Sequence, residues 1–155
     1  MTVDLQIASE VRSLPCEAEI RSWIASVLDA VPGTRATEVS VRIVDQEESR
    51  SLNHRFRGKD KATNVLSFPV VDDVISGLPD AARQSLGDIV VCGPVVEAEA
   101  AEQRKPVADH WAHMLVHGTL HLLGYDHEAC DDAEVMEAIE RRILAAQGVP
   151  DPYAT

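Results

Sequence analysis

The chain is poor in cysteine, in basic residues and in long apolar runs, and each shortage excludes something. Its three cysteines, Cys16, Cys92 and Cys130, lie far apart without any C-x-x-C spacing. That argues against a disulfide framework or a cysteine zinc site and fits a reducing cytoplasm. Lys plus Arg total 14 against 26 Asp plus Glu, a formal charge of -12. Non-specific wrapping of nucleic acid or adsorption to an anionic membrane is therefore disfavoured, and contact with a polyanion has to be local. No apolar run approaches the roughly 18 residues that span a bilayer, and the opening MTVDLQIASE carries acids where a signal peptide carries bases. The expectation is a cytoplasmic protein whose residues 1–155 form a single domain, with neither membrane nor DNA as a partner.

Hydrophobic periodicity supplies the elements. Val3 to Ile7 alternates as a half-buried strand does, and Ile20, Trp23, Ile24, Val27, Leu28 and Val31 repeat at helical spacing between Pro15 and Pro32-Gly33. Val39, Val41 and Ile43 mark a second strand, and Asp45 with Glu48 reads as a capping box opening a helix to about Phe56. Asn64 to Pro69 reads as a third strand, its proline implying an edge or a strand end, and Asp88 to Cys92 as a fourth, with a loop over 72–87. Helices are expected from Gly93-Pro94 to about Lys105, from Val107 to Leu123 before Gly124, and from Asp131-Asp132 to Gly148. This order predicts an α/β (α+β) fold, a mixed sheet of about four strands packed by about five or six helices.

Five of the six histidines, His110, His113, His117, His121 and His127, fall within 18 residues, a clustering that random placement rarely gives. His117 and His121 share one helical face, Gly124 suits the left-handed turn that ends the helix, and His127 follows on the returning chain. Three neutral imidazoles on one ion leave a coordination position open, as catalytic zinc sites do, and an open position supplies hydroxide near neutral pH. His113 lies about 6 Å further down the axis and is expected to support or pack beside the ligands. His110 is expected to be a hydrogen-bonded core or surface residue, and Cys130 a buried thiol. The spacing matches H-E-x-x-H-x-x-G-x-x-H except that Gly118 stands where a metzincin-type peptidase needs its glutamate base. A peptidase reading thereby loses most of its support.

Arg50, Arg55, Arg57, Lys59 and Lys61 place 5 of the 14 basic residues in 12 positions, a cationic island in an acidic protein. It is either a solvated helix end complementing the dipole or a phosphate clamp. A neighbouring metal site favours the clamp.

The segments RGKDKATNVLSFP (57–69), LGDIVVC (86–92) and HWAHMLVHGTLHLLGYDH (110–127), with the tail GVPDPY, resemble the bacterial endoribonuclease YbeY family across nearly the whole chain. The resemblance implies a metzincin-like metal helix and one Zn2+ per chain on His117, His121 and His127. It also implies that Arg57 occupies the family's functional arginine position. The implied activity is metal-dependent endonucleolytic cleavage of single-stranded RNA, in maturation of the 3′ end of small-subunit ribosomal RNA and in ribosome quality control. Ribosomal RNA and the small ribosomal subunit are the implied partners, with a ribosomal protein and an assembly GTPase as further candidates. On this reading Arg57 stabilises charge on the scissile phosphate while Arg55, Lys59 and Lys61 contact the substrate backbone. Tyr125 and Asp126 could orient a ligand or relay a proton, a turn-stabilising role for Asp126 being equally open. Two rivals stand beside it: a metallohydrolase of another substrate class, and a non-catalytic zinc-containing ribosome-assembly module.

Overall fold

The computed structural model describes residues 1–31, 38–70, 85–125 and 129–154. Its elements run β1 (Thr2–Ala8), α1 (Glu17–Ala30), β2 (Glu38–Val44), α2 (Gln46–Arg57), β3 (Val65–Pro69), β4 (Ser85–Cys92), α3 (Gly93–Glu102), α4 (Val107–Leu122) and α5 (Cys130–Ala146). The four strands form one mixed sheet in the order β1-β2-β4-β3. β1, β2 and β4 are parallel, and β3 runs antiparallel to β4 at the edge. Pro69 closes that edge strand, where its missing N–H costs no ladder bond. Among the described residues no helix is long and apolar enough to cross a membrane.

Strand alternation divides the sheet into two unlike faces. Val39, Val41, Ile43, Ile89 and Val91 point into the main core, under α1, α4 and α5. Val44, Leu66, Val90 and Cys92 point the other way and form a smaller cluster with Leu52 of α2, Phe68 and Val95. α4 is buried along most of its length, and Trp111, Leu115 and Leu120 are wholly enclosed. Each such side chain contributes about 1.5–3 kcal/mol by leaving water, so the helix that bears the histidines is also the centre of the core.

Three local expectations need correction. Asp45 is the N-cap of α2, but Asp45 and Glu48 form no capping box. The Asp45 carboxylate accepts from the Ser9 hydroxyl and from the Glu10 N–H, and Glu48 is bound bidentately by Arg42 at 2.6 and 2.9 Å. Tertiary partners outbid the local ones. β4 begins at Ser85, three residues before Asp88, because Gly87 still pairs with Pro69 of β3. α3 ends at Glu102, short of Lys105: Arg104 turns left-handed at φ 56°, and the residue before Pro106 is pushed out of helical conformation. The expected loop over 72–87 lies outside the described residues up to 84.

Candidate metal and RNA site

The site grows from two helix ends and an edge strand. Gly118 sets how closely α4 approaches the sheet. A Cβ there would sit 3.1 Å from Ile89 Cγ2, 3.1 Å from Val65 Cγ2 and 3.3 Å from Ser67 Oγ, and the Gly118 carbonyl accepts from Ser67 Oγ at 2.8 Å. The glycine standing in place of a peptidase's glutamate thus lets the histidine helix lie against β3 and β4. At the helix end Gly124 takes φ 98°, a conformation open to glycine at little cost. The turn is fixed by Gly124 N–H to His121 O at 3.0 Å and Tyr125 N–H to Leu120 O at 3.1 Å.

His117 and His121, one turn apart, bring their Nε2 atoms to 3.1 Å from each other. Two imidazoles bound to one tetrahedral ion at about 2.0–2.1 Å place their nitrogens about 3.3–3.4 Å apart, so this pair fits a shared cation with only a small adjustment. The other ring nitrogen of His117, Nδ1, lies 2.5 Å from Glu140 Oε1. That contact puts the proton on Nδ1 and leaves the Nε2 lone pair facing His121, the carboxylate–histidine arrangement that orients metal ligands.

Glu140 is wholly buried. It also accepts from the Tyr153 hydroxyl, and His113 Nε2 stands 3.5 Å from its second oxygen. Burial pushes the Glu140 carboxyl upward, but the hydrogen bonds from His113, His117 and Tyr153 outweigh it and hold the group down to about 2. Burial keeps His113 below the ordinary histidine range, opposed by Glu140. It also pushes Tyr153 well above the usual phenol range, reinforced by Glu140. The tail holding Tyr153 is clipped to α5 by Arg141, which donates to Asp151 at 3.1 Å and lies over the Tyr153 ring. His110, also buried, gives its Nε2 to Glu99 at 2.8 Å, and Glu99 binds Asn64 Nδ2 at 3.1 Å.

A cation could therefore be held in two ways. Ligand atoms of His113, His117 and Glu140 lie within 4.8 Å of one another. That grouping is already closed by its own hydrogen bonds, two of its three members being buried, with no space between His117 Nδ1 and Glu140 at 2.5 Å. The paired Nε2 atoms of His117 and His121 instead belong to residues lining a cleft of about 770 Å³. His127 and Asp126 lie outside the described residues, as does the side chain of Cys130.

The same cleft is lined by Arg57, Lys59, Asn64 and the length of β3, with Gly124 and Tyr125 at the histidine end. The end of α2 and the loop after it deliver the two cations. Gly58 ends the helix at φ 71°, and the buried polar residues Ser49 and Asn53 pin the following loop through Thr63 O at 3.0 Å and Lys61 O at 2.8 Å. Arg50 is paired with Asp60 at 2.7 Å. Arg55 and Lys61 are exposed and line no part of the cleft, so of the four basic residues expected at substrate only Arg57 and Lys59 open onto it.

Glu140 and Tyr153 escaped the motif analysis. The signal for Glu140 was nonetheless present: one acid on the stripe Met136, Ile139, Ile143, Leu144, where a buried carboxylate needs partners.

A family model described as endoribonuclease YbeY matches residues 4–148. A protein named endoribonuclease YbeY from Halorhodospira halophila is 62% identical over 141 residues, 91% of this chain and 89% of that one. Its namesake from Alkalilimnicola ehrlichii is 56% identical over 140 residues, 90% of this chain and 82% of that one. A solution structure from Thermotoga maritima shares the fold, with a TM-score of 0.57 and 24% identity over 99% of this chain and 100% of its own. With a family model matched along nearly the whole fold, and relatives more than half identical across it, the chain belongs to the endoribonuclease YbeY family.

Proposed function

We propose that the protein is a metal-dependent endoribonuclease cutting phosphodiester bonds in single-stranded RNA, in maturation of the 3′ end of small-subunit ribosomal RNA and in ribosome quality control in the cytoplasm. One observation carries the reading: Arg57 and Lys59 open onto the same cleft as His117 and His121. A cleft lined by a guanidinium and by a histidine pair able to hold a cation suits a phosphodiester, and the relatives' name gives the substrate class.

His117, His121 and His127 would hold one zinc ion, with Glu140 fixing the ring of His117. Zinc there supplies a Lewis acid and an activated water at neutral pH. Arg57 grips the scissile phosphate and stabilises the charge growing on its oxygens, and Lys59 holds the neighbouring backbone. Gly118 brings no base, so proton removal by a residue at that position is not part of the chemistry. Ribosomal RNA within the small subunit is the substrate, and a ribosomal protein and an assembly GTPase are the partners to test.

Metal analysis paired with cleavage of ribosomal RNA by wild type, His117→Ala and Arg57→Ala tests the proposal. Wild type should hold one metal and cut. His117→Ala should lose both, and Arg57→Ala should keep the metal and cut about 10²–10³-fold more slowly. Cutting by a metal-depleted His117→Ala would refute the assignment. A 2′,3′-cyclic phosphate on the products would show attack by the RNA's own hydroxyl in place of water.

A further inference from the structure

Phe56 is a large aromatic left 55% exposed at the end of α2, next to Arg57. It meets Phe68 of β3 edge to face, ring centroids 5.1 Å apart at 68°. The two rings form a ridge between two cavities. On one side lies the cleft with His117, His121, Arg57 and Lys59. On the other lies a groove of about 470 Å³ on the sheet's second face, with Leu52 and Val90 in its wall. The Arg55 guanidinium stands 5.2 Å above the Phe56 ring centre. One basic residue, Arg55, thus lies over the exposed ring, and two more, Arg57 and Lys59, line the cleft that the ring borders, in a chain of net charge -12.

We propose that Phe56 is a base-stacking platform, binding an unpaired nucleobase that flanks the phosphate held by Arg57. This rests on the endoribonuclease reading above and adds how the site selects its substrate. The occupant follows from the chemistry around the ring. Adjoining cations call for a polyanion, a planar aromatic face calls for a flat apolar partner, and a nucleotide joins both within one residue. Arg55, expected to touch the RNA backbone, also adds its charge over one face of the ring. In a duplex each base face is covered by its neighbours, so a ridge that needs an open face discriminates for single strands without reading sequence. Phe68, from the edge strand, buttresses the ring so that it meets RNA already oriented.

Fluorescence anisotropy with a labelled single-stranded RNA, the same strand carrying one abasic nucleotide at successive positions, and its duplex tests this. Exposure of Phe56 means that Phe56→Leu folds as wild type. It should bind the intact strand roughly 5- to 150-fold more weakly and leave duplex binding unchanged. One abasic position should weaken wild type by a similar factor and leave Phe56→Leu unaffected. Phe56→Trp should retain affinity, its emission quenched by the strand. Equal affinity of Phe56→Leu and wild type for the intact strand, or equal weakening toward strand and duplex, would overturn the platform. Wild type that cuts RNA while Phe56→Leu binds normally sinks the platform alone, whereas wild type that neither binds nor cuts sinks the functional reading beneath it.

Discussion

Replacing Glu140 by glutamine tests how the histidines are arranged for metal. The substitution keeps size and one acceptor but removes a charge that is wholly buried and bound by His117, His113 and Tyr153. Loss of such a supporting carboxylate costs about 10–100-fold in metal affinity, equivalent to about 1.4–2.7 kcal/mol. The network's other members are left less well satisfied, so the metal-depleted fold should lose a further 1–3 kcal/mol or so. Competition with a chromophoric chelator measures the first quantity, and urea unfolding of the metal-depleted protein measures the second. Two companions give the experiment its discrimination. If the ion sits between the Nε2 atoms of His117 and His121, His121→Ala abolishes binding while His113→Ala retains most of it. If the ion sits among His113, His117 and Glu140, His113→Ala and Glu140→Gln abolish it and His121→Ala is tolerated. The second pattern, or undiminished affinity in a folded Glu140→Gln, would refute the hydrogen-bonding role given to the carboxylate.

Gly118→Glu forces a side chain against Ile89, Val65 and Ser67. It should cost about 1–3 kcal/mol of overpacking in thermal unfolding and bring no peptidase activity on a casein substrate. Gly87→Ala should be harsher, because at φ 132° its Cβ would fall 2.2 Å from Phe68 O. A loss of more than about 2 kcal/mol is expected, read by urea denaturation. The Glu99 carboxyl is held below the usual range, chiefly by the His110 hydrogen bond against burial, with help from Asn64. A depressed folded value stabilises above the unfolded pKa and is lost as pH falls through the folded one. Glu99→Gln should therefore show a shallower decline in stability than wild type from about pH 5 downward, and an unchanged acid limb would count against the pairing.

Much of the fold was legible because its determinants are periodic. Alternation in Val39, Val41 and Ile43 and the 3.6-residue repeat of α1 place those elements within a residue or so. Where the reading of the α2 cap failed, long-range partners had displaced local ones. Asp45 and Glu48 look like a capping box, but Ser9 and Arg42 claim their side chains. For the candidate site, spacing sufficed to bring His117 and His121 together, since i, i+4 geometry is a local property. Glu140 comes from another helix and Tyr153 from the tail, and no local rule links either to His117. Arg57 and Lys59 stood out as part of a charge island, yet only the tertiary placement of the α2 end and the loop after it beside the cleft distinguishes them from Arg55 and Lys61.

α4 carries the paired histidines and is also the most enclosed helix among the described residues. Its amide protons should exchange with solvent only when the entire molecule opens. The two helix-borne histidines proposed as metal ligands are then not a detachable accessory that frays first on warming. Separation of the His117–His121 pair and melting of the fold should follow one curve.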